Sequence, residues 1–196
     1  MIKVALFDVD GVLIHIDFFT NAIERKYGIS KELSTQFFTN SFEDCIIGKK
    51  DLKVEIEPYL NKWGWKGSVE AYLDEWFAYE SKINTDLVNF IQKMRSMGIV
   101  CSVATNQEKY RVDYLFDKLG FANSFDNIYS SANFGCKKPE KQFYEKLLAS
   151  LEGVKKDEIL FWDDRLENIV AAKKAGINAC QYVDFNNFTE TMKKYV

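Results

Sequence analysis

Asp8 and Asp10 stand one residue apart at the end of an apolar run, Ile2–Phe7, and Gly11 follows them. The run is too short for a helix and reads as a buried strand. A carboxylate left unpaired in a core is costly to desolvate, so both acids belong at the strand's carboxyl end, where a parallel sheet opens onto solvent and ligands. Side chains two residues apart on a strand point the same way, so both acids face one site if the extended geometry persists. Two carboxylates that close repel each other, and either a cation lies between them or one keeps its proton.

A second pair of acids, Asp163 and Asp164, ends the apolar run that starts at Glu158. Thr105 and Asn106 follow a third run, Ile99–Ala104, and Lys137 and Lys138 stand directly before Pro139. If these runs are strands of one parallel sheet, the residues that follow them collect along one edge. The set holds carboxylates, a hydroxyl and a lysine, with no histidine or thiolate cluster. Hard oxygen ligands of this kind suit Mg²⁺ and not zinc. A lysine, a hydroxyl and Mg²⁺ together bind a phosphoryl group. A carboxylate beside them can attack it and form an aspartyl-phosphate.

The elements that must position these residues are legible as periodicity. From Asn84 onward, helices at 86–97, 107–119, 139–150 and 165–175 alternate with strands at 99–104, 127–131, 158–162 and 177–183, and a C-terminal helix follows. Strands separated by helices imply α/β architecture, a doubly wound, Rossmann-like parallel sheet. The stretch 15–83 interrupts this pattern with helices alone. Phe19, Ile23 and Tyr27 form one stripe of a helix over 16–27 that Gly28 stops. Ser30, Asp51 and Ser68 are placed to cap three more, and Pro58 predicts a kink or an end near Glu57. The expected organisation is an α/β core of 1–14 and 84–196 with an α-helical insert of 15–83. The aromatics of the insert read as bundle core and not as a stacking platform for bases.

Composition narrows the function classes. Of 196 residues, 47% are apolar and 28% charged, ordinary for a globular chain with a sizeable core. A net charge of −3 gives no basic footprint for nucleic acid. An anionic substrate therefore needs local positive charge from a metal ion or a few lysines. Cys45, Cys101, Cys136 and Cys180 form no CxxC pair and, with no secretory leader, read as reduced thiols of a cytoplasmic protein. No apolar stretch approaches the ~20 residues of a membrane span. Nothing in the chain speaks to oligomeric state.

In order and spacing the chain resembles the haloacid dehalogenase-like (HAD) superfamily over nearly its whole length. DVDGV at Asp8–Val12 is similar to the family's first motif and SVATN at Ser102–Asn106 to its second. KKP at Lys137–Pro139 is similar to the third and WDDRLEN at Trp162–Asn168 to the fourth. The insert resembles the family's small α-helical cap, and Ile46–Leu60 is similar to cap segments of the phosphatase-rich branch. The resemblance implies that Asp8 is the nucleophile and a Mg²⁺ ligand. It implies that Asp10 is general acid and then general base, and offers its carbonyl to the metal. Thr105 would bind the transferring phosphoryl oxygens with Asn106 close by, and Lys138 would neutralise phosphoryl and nucleophile. Asp164 would hold the metal, with Asp163 an alternative ligand, and Asn168 stands where many relatives carry a second acid.

The leading expectation is thus a Mg²⁺-dependent phosphatase acting on a small phosphorylated metabolite. A 2-haloacid dehalogenase on the same fold should lack an acid two residues after the nucleophile, and Asp10 argues against it. A phosphomutase shares all the catalytic groups. A receiver-like phospho-binding module lacks a helical insertion after its first strand and is shorter. Lys137 reads as a solvated neighbour of Lys138, His15 as a linker residue or a substrate contact, and Lys49 and Lys50 as a solvated turn. Trp162 reads as packing under the site and Cys101 as core.

Overall fold

The computed structural model describes residues 1–195. Five strands, β1 (Val4–Phe7), β2 (Val100–Thr105), β3 (Ile128–Ser130), β4 (Ile159–Asp163) and β5 (Asn178–Gln181), form one sheet in the order β3-β2-β1-β4-β5. Every pairing is parallel. β1 sits in the middle because it can: all four of its residues are buried, with no polar side chain to solvate. Alternate residues feed two cores. Ala5, Phe7, Cys101, Val103 and Trp162 pack on one face, and Val4, Leu6, Ile159 and Phe161 on the other. Helices cover both faces, which makes this the doubly wound α/β arrangement with its switch point at β1. Trp162 is fully buried with its ring 4.7 Å from that of Phe188, so it does pack under the site.

Between β1 and β2 the chain leaves the sheet and builds five helices, from Thr20–Tyr27 to Val69–Tyr79. These have a core of their own, in which Phe19, Phe37, Ile56, Tyr72 and Trp76 are buried. Ser30, Asp51 and Ser68 do cap helices, accepting from Leu33, Lys53 and Ala71 backbone N–H groups. Two elements differ from the periodicity. The first helix starts at Thr20, leaving His15–Phe19 as connector, and His15 N–H donates to Lys82 O at 2.9 Å, tying the backbone to the segment that returns to the core. The helix capped by Asp51 runs through Pro58 to Trp63. Proline removes the hydrogen bond to the carbonyl of Val54, and Val54 lies on the exposed face, where water can replace it.

The two connectors between insert and sheet are zipped together. Ile14 and Ile83 form an antiparallel bridge, Asn84 N–H donates to Leu13 O at 2.8 Å, and the Asn84 amide reaches Val12 O at 3.1 Å. Arg111, buried on the core side, clamps the end of the insert by donating to Phe77 O at 2.7 Å, to Ser81 Oγ at 3.1 Å and to Glu80 O. No helix among the described residues is long and apolar enough to cross a membrane.

Candidate active site

The strand register assembles the site. Phe7 pairs with Trp162, so the next residues, Asp8 and Asp163, come side by side at the sheet's carboxyl edge. Thr105 ends β2 on the other flank of β1, and Lys138 arrives from the loop that follows the short helix Ser131–Phe134 after β3. The Lys138–Pro139 peptide is cis, and the helix begins only at Lys141, so Pro139 lies before the first turn and not within it. Asn106 fixes this loop: its Oδ1 accepts from Lys138 N–H at 2.8 Å and its amide donates to Lys138 O at 2.9 Å.

Lys138 is almost fully buried, and its ammonium has three donors. They meet Asp8 Oδ1 at 2.9 Å, Asp163 Oδ2 at 2.6 Å and Ala104 O at 2.9 Å. Burial works to lower its pKa, but the charges of Asp8 and Asp163 outweigh that and hold it above the usual lysine value. Asp163 is saturated. Its Oδ1 accepts from Arg165 N–H and Asn168 Nδ2, both at 2.9 Å, and its Oδ2 accepts from Lys138 and, at 3.0 Å, from Asn168.

Asp8 and Asp164 are different. Asp8 Oδ1 takes Val9 N–H at 2.8 Å and Lys138, while Oδ2 takes no hydrogen bond among the described residues. Burial first, then the charge of Asp163, pushes Asp8 up to about 8 against the pull of Lys138. Asp164 Oδ1 is buried without a partner, and burial and Asp163 raise its pKa as well. Oxygens of Asp8, Asp163 and Asp164 lie within 4.8 Å of one another. Three crowded carboxylates with an orphaned buried oxygen are short of positive charge, and this hard-oxygen set fits Mg²⁺. Gly11 makes the close approach workable: its φ is +82°, and a Cβ there would sit 2.5 Å from Asp164 Oδ2.

Asp10 Oδ2 accepts from Gln107 Nε2 at 2.6 Å. Its pKa is raised by burial, with Arg111 and Gln107 pulling the other way. Asp8, Asp10, Thr105, Asn106, Lys138 and Asp164 line one cavity of about 640 Å³. Lys137 is more than a solvated neighbour: it lines that cavity and pairs with Glu43 of the insert. His15 is exposed and stays in the connector, while Lys49 and Lys50 are exposed and paired with Asp44 and Glu55. Cys101 is core, and all four cysteines are free.

Sequence reasoning misses Gln107, Arg111 and Glu80. The helix expected from Gln107 begins at Lys109, because Glu108 caps it by accepting from Tyr110 N–H at 2.8 Å and Arg111 N–H at 2.5 Å. That releases Gln107 toward Asp10. Glu is not among the usual N-cap types, so the local sequence carries no signal for this cap.

The haloacid dehalogenase-like hydrolase model matches residues 2–176. The chain belongs to this family of hydrolytic enzymes. A sesquiterpene phosphatase of Aspergillus oryzae is 26% identical over 182 residues, 93% of this chain and 90% of the relative. Among solved structures, a HAD family enzyme from Bacteroides thetaiotaomicron superposes with a TM-score of 0.80 at 21% identity, over 96% of this chain and 98% of that one. A protein described as a predicted HAD-like family hydrolase from Porphyromonas gingivalis also gives a TM-score of 0.80, at 22% identity, over 100% and 98% of the two chains. The Bacteroides enzyme has also been crystallised with magnesium and inorganic phosphate.

Proposed function

We propose that this hydrolase is a Mg²⁺-dependent phosphatase that cleaves a small phosphomonoester through an aspartyl-phosphate on Asp8, with the insert 15–83 acting as a cap over the core of 1–14 and 84–196. The observation that carries the reading is the asymmetry of Asp8. One oxygen is held by Val9 N–H and Lys138, and the other is left without a partner in a cavity lined by phosphoryl-binding groups. The phosphatase relative supports the same chemistry.

Asp8, Asp164 and the Asp10 carbonyl would hold the metal, with Asp163 fixed beside them as the anchor of Lys138. The ion when bound supplies positive charge to the phosphoryl oxygens and relieves the carboxylate crowding. Asp8 Oδ2 attacks phosphorus, an O–P bond to the aspartate forms and the ester O–P bond breaks. Asp10, whose raised pKa favours the protonated form, gives its proton to the departing alkoxide. It then takes a proton from the water that cleaves the acyl phosphate, releasing inorganic phosphate. Lys138 and the Thr105 hydroxyl neutralise and bind the transferring oxygens throughout. Gln107 orients Asp10 for both transfers.

Hydrolysis of p-nitrophenyl phosphate with and without excess EDTA tests this. The expected result is turnover that EDTA abolishes and Mg²⁺ restores. Asp164→Asn should cost more Mg²⁺ affinity than Asp163→Asn. Full turnover in EDTA refutes the metal requirement, and the reverse order of the two variants refutes the ligand assignment.

A further inference from the structure

A second cavity, of about 290 Å³, opens from the phosphoryl site between insert and core. The two share Asp10, Phe18, Ile46 and Asn106, so a group leaving from phosphorus past Asp10 enters it directly. Its wall is mostly apolar surface, interrupted by the uncharged polar side chains of Thr20, Thr35, Asn106 and Gln107. Phe38, Phe42 and Trp76 pack edge to face, with centroids 5.1 Å apart for Phe38 and Trp76, 5.6 Å for Phe42 and Trp76 and 5.4 Å for Phe38 and Phe42. No lysine, arginine or histidine lines it.

The charged groups around it complete the argument. Besides Asp10, the cavity contains one other acid, Glu80, whose Oε1 accepts from Phe19 N–H at 2.7 Å. Burial lifts Glu80 to about 7, against the pull of that N–H. The Trp76 indole N–H is buried and completes no hydrogen bond. Arg111, whose charge reaches both Asp10 and Glu80, lies outside the lining and gives its donors to Phe77, Glu80 and Ser81. At the mouth of the phosphoryl site, Lys137 pairs with Glu43 and Arg165 with Glu167. A second anionic group carried into this cavity would meet carboxyl groups and aromatic carbon, with no cation in its lining, and a buried unpaired charge is costly.

On the phosphatase reading above, we infer that this cavity takes the substrate's leaving group, and that the group is an uncharged, largely apolar alcohol. At about 30 Å³ for each water-sized group, the cavity alone holds about ten non-hydrogen atoms. Esters that carry a carboxylate, a second phosphate or a nucleotide are excluded. Glu80 and the free Trp76 N–H leave room for one neutral polar substituent.

The test compares esters of primary alcohols, so that leaving-group chemistry is matched: 3-phenylpropyl phosphate, glycerol 3-phosphate and phosphoglycolate. kcat/KM for the phenylpropyl ester should exceed that for either other ester by about 100-fold, the return on burying an aromatic group of that size. Ile46→Arg places a cation at the junction of the two cavities. It should narrow the gap against phosphoglycolate by at least about tenfold, a gain that misfolding cannot produce. Equal or reversed preference in the wild type, or an Ile46→Arg ratio that does not move, overturns the assignment. Calorimetric titration with 3-phenylpropanol reads the cavity separately from the chemistry. Binding to the wild type that Ile46→Arg abolishes supports the assignment even if no ester is hydrolysed, which would refute the phosphatase reading alone. Absence of binding refutes the apolar site.

Discussion

Lys138→Met keeps the length of the side chain and removes the one charge that sits between Asp8 and Asp163. In the wild type the ammonium lies 2.9 Å from Asp8 and 2.6 Å from Asp163, with about 2% of the residue exposed. Removing one member of a buried ion network leaves the others uncompensated and costs about 3–5 kcal/mol. Asp8 can relieve part of this by staying protonated, since burial already lifts it to about 8, so the low end applies at neutral pH. For a domain of this size each kcal/mol moves Tm by about 2–4 °C, so 3 kcal/mol lowers it by about 6–12 °C. Circular dichroism melts in EDTA measure the shift. Saturating Mg²⁺ should close part of the gap, because the cation replaces the missing charge beside Asp8 and Asp164. Turnover should still fall by about 10²–10³, the usual loss for one preorganised electrostatic group. An unchanged Tm in EDTA would refute the compensating role of Lys138. A gap that Mg²⁺ leaves untouched would refute the shared charge balance.

Gly11→Ala brings a methyl to 2.5 Å from Asp164 Oδ2 and 2.7 Å from its Cγ, at a φ of +82°. The conformation costs about 1–2 kcal/mol. The displaced carboxylate should weaken Mg²⁺ affinity by about 10–100-fold in a metal titration, and unchanged affinity would show that Asp164 is not a ligand. The pH dependence follows from the raised values of Asp8, Asp10 and Asp164. A carboxyl raised on folding stabilises the metal-free protein fully below its unfolded value, and that contribution fades as pH rises through the folded value, between about 4 and about 8 for Asp8. Mg²⁺ must displace the Asp8 proton, so its affinity should fall about tenfold per pH unit below about 8, and its effect on Tm should be larger at about pH 8.5 than at about pH 6. A pH-independent Mg²⁺ affinity across that range would contradict the burial of Asp8.

The strands and their terminal acids were readable because a buried parallel strand is a contiguous apolar run, and carboxylates cannot continue it. Thr105, Asp8 and Asp163 then meet through sheet register. The rest depends on contacts far apart in sequence. Asn106, expected near the phosphoryl group, uses its amide to hold the Lys138 peptide. Asn168, a departure from the family pattern, donates twice to Asp163 and so fixes the lysine's anchor. Arg111 belongs to no motif, yet it joins the core to the insert and sets the field at Asp10 and Glu80. The continuous helix across Pro58 could not be read locally, because solvent access to the Val54 carbonyl is decided by packing of the insert.

The central claim is that Asp8 carries the phosphoryl group and Asp10 handles the proton in both half-reactions. General acid–base help is worth about 10²–10⁴ in rate. With acetyl phosphate, whose leaving group needs little protonation, Asp10→Asn should lose more of the second half than of the first. Intact-mass analysis after rapid quench should then show one phosphoryl group accumulating on Asp10→Asn, mapped to the Asp8 peptide, and none on Asp8→Asn. A phosphoryl adduct that persists in Asp8→Asn would place the nucleophile elsewhere and contradict the account.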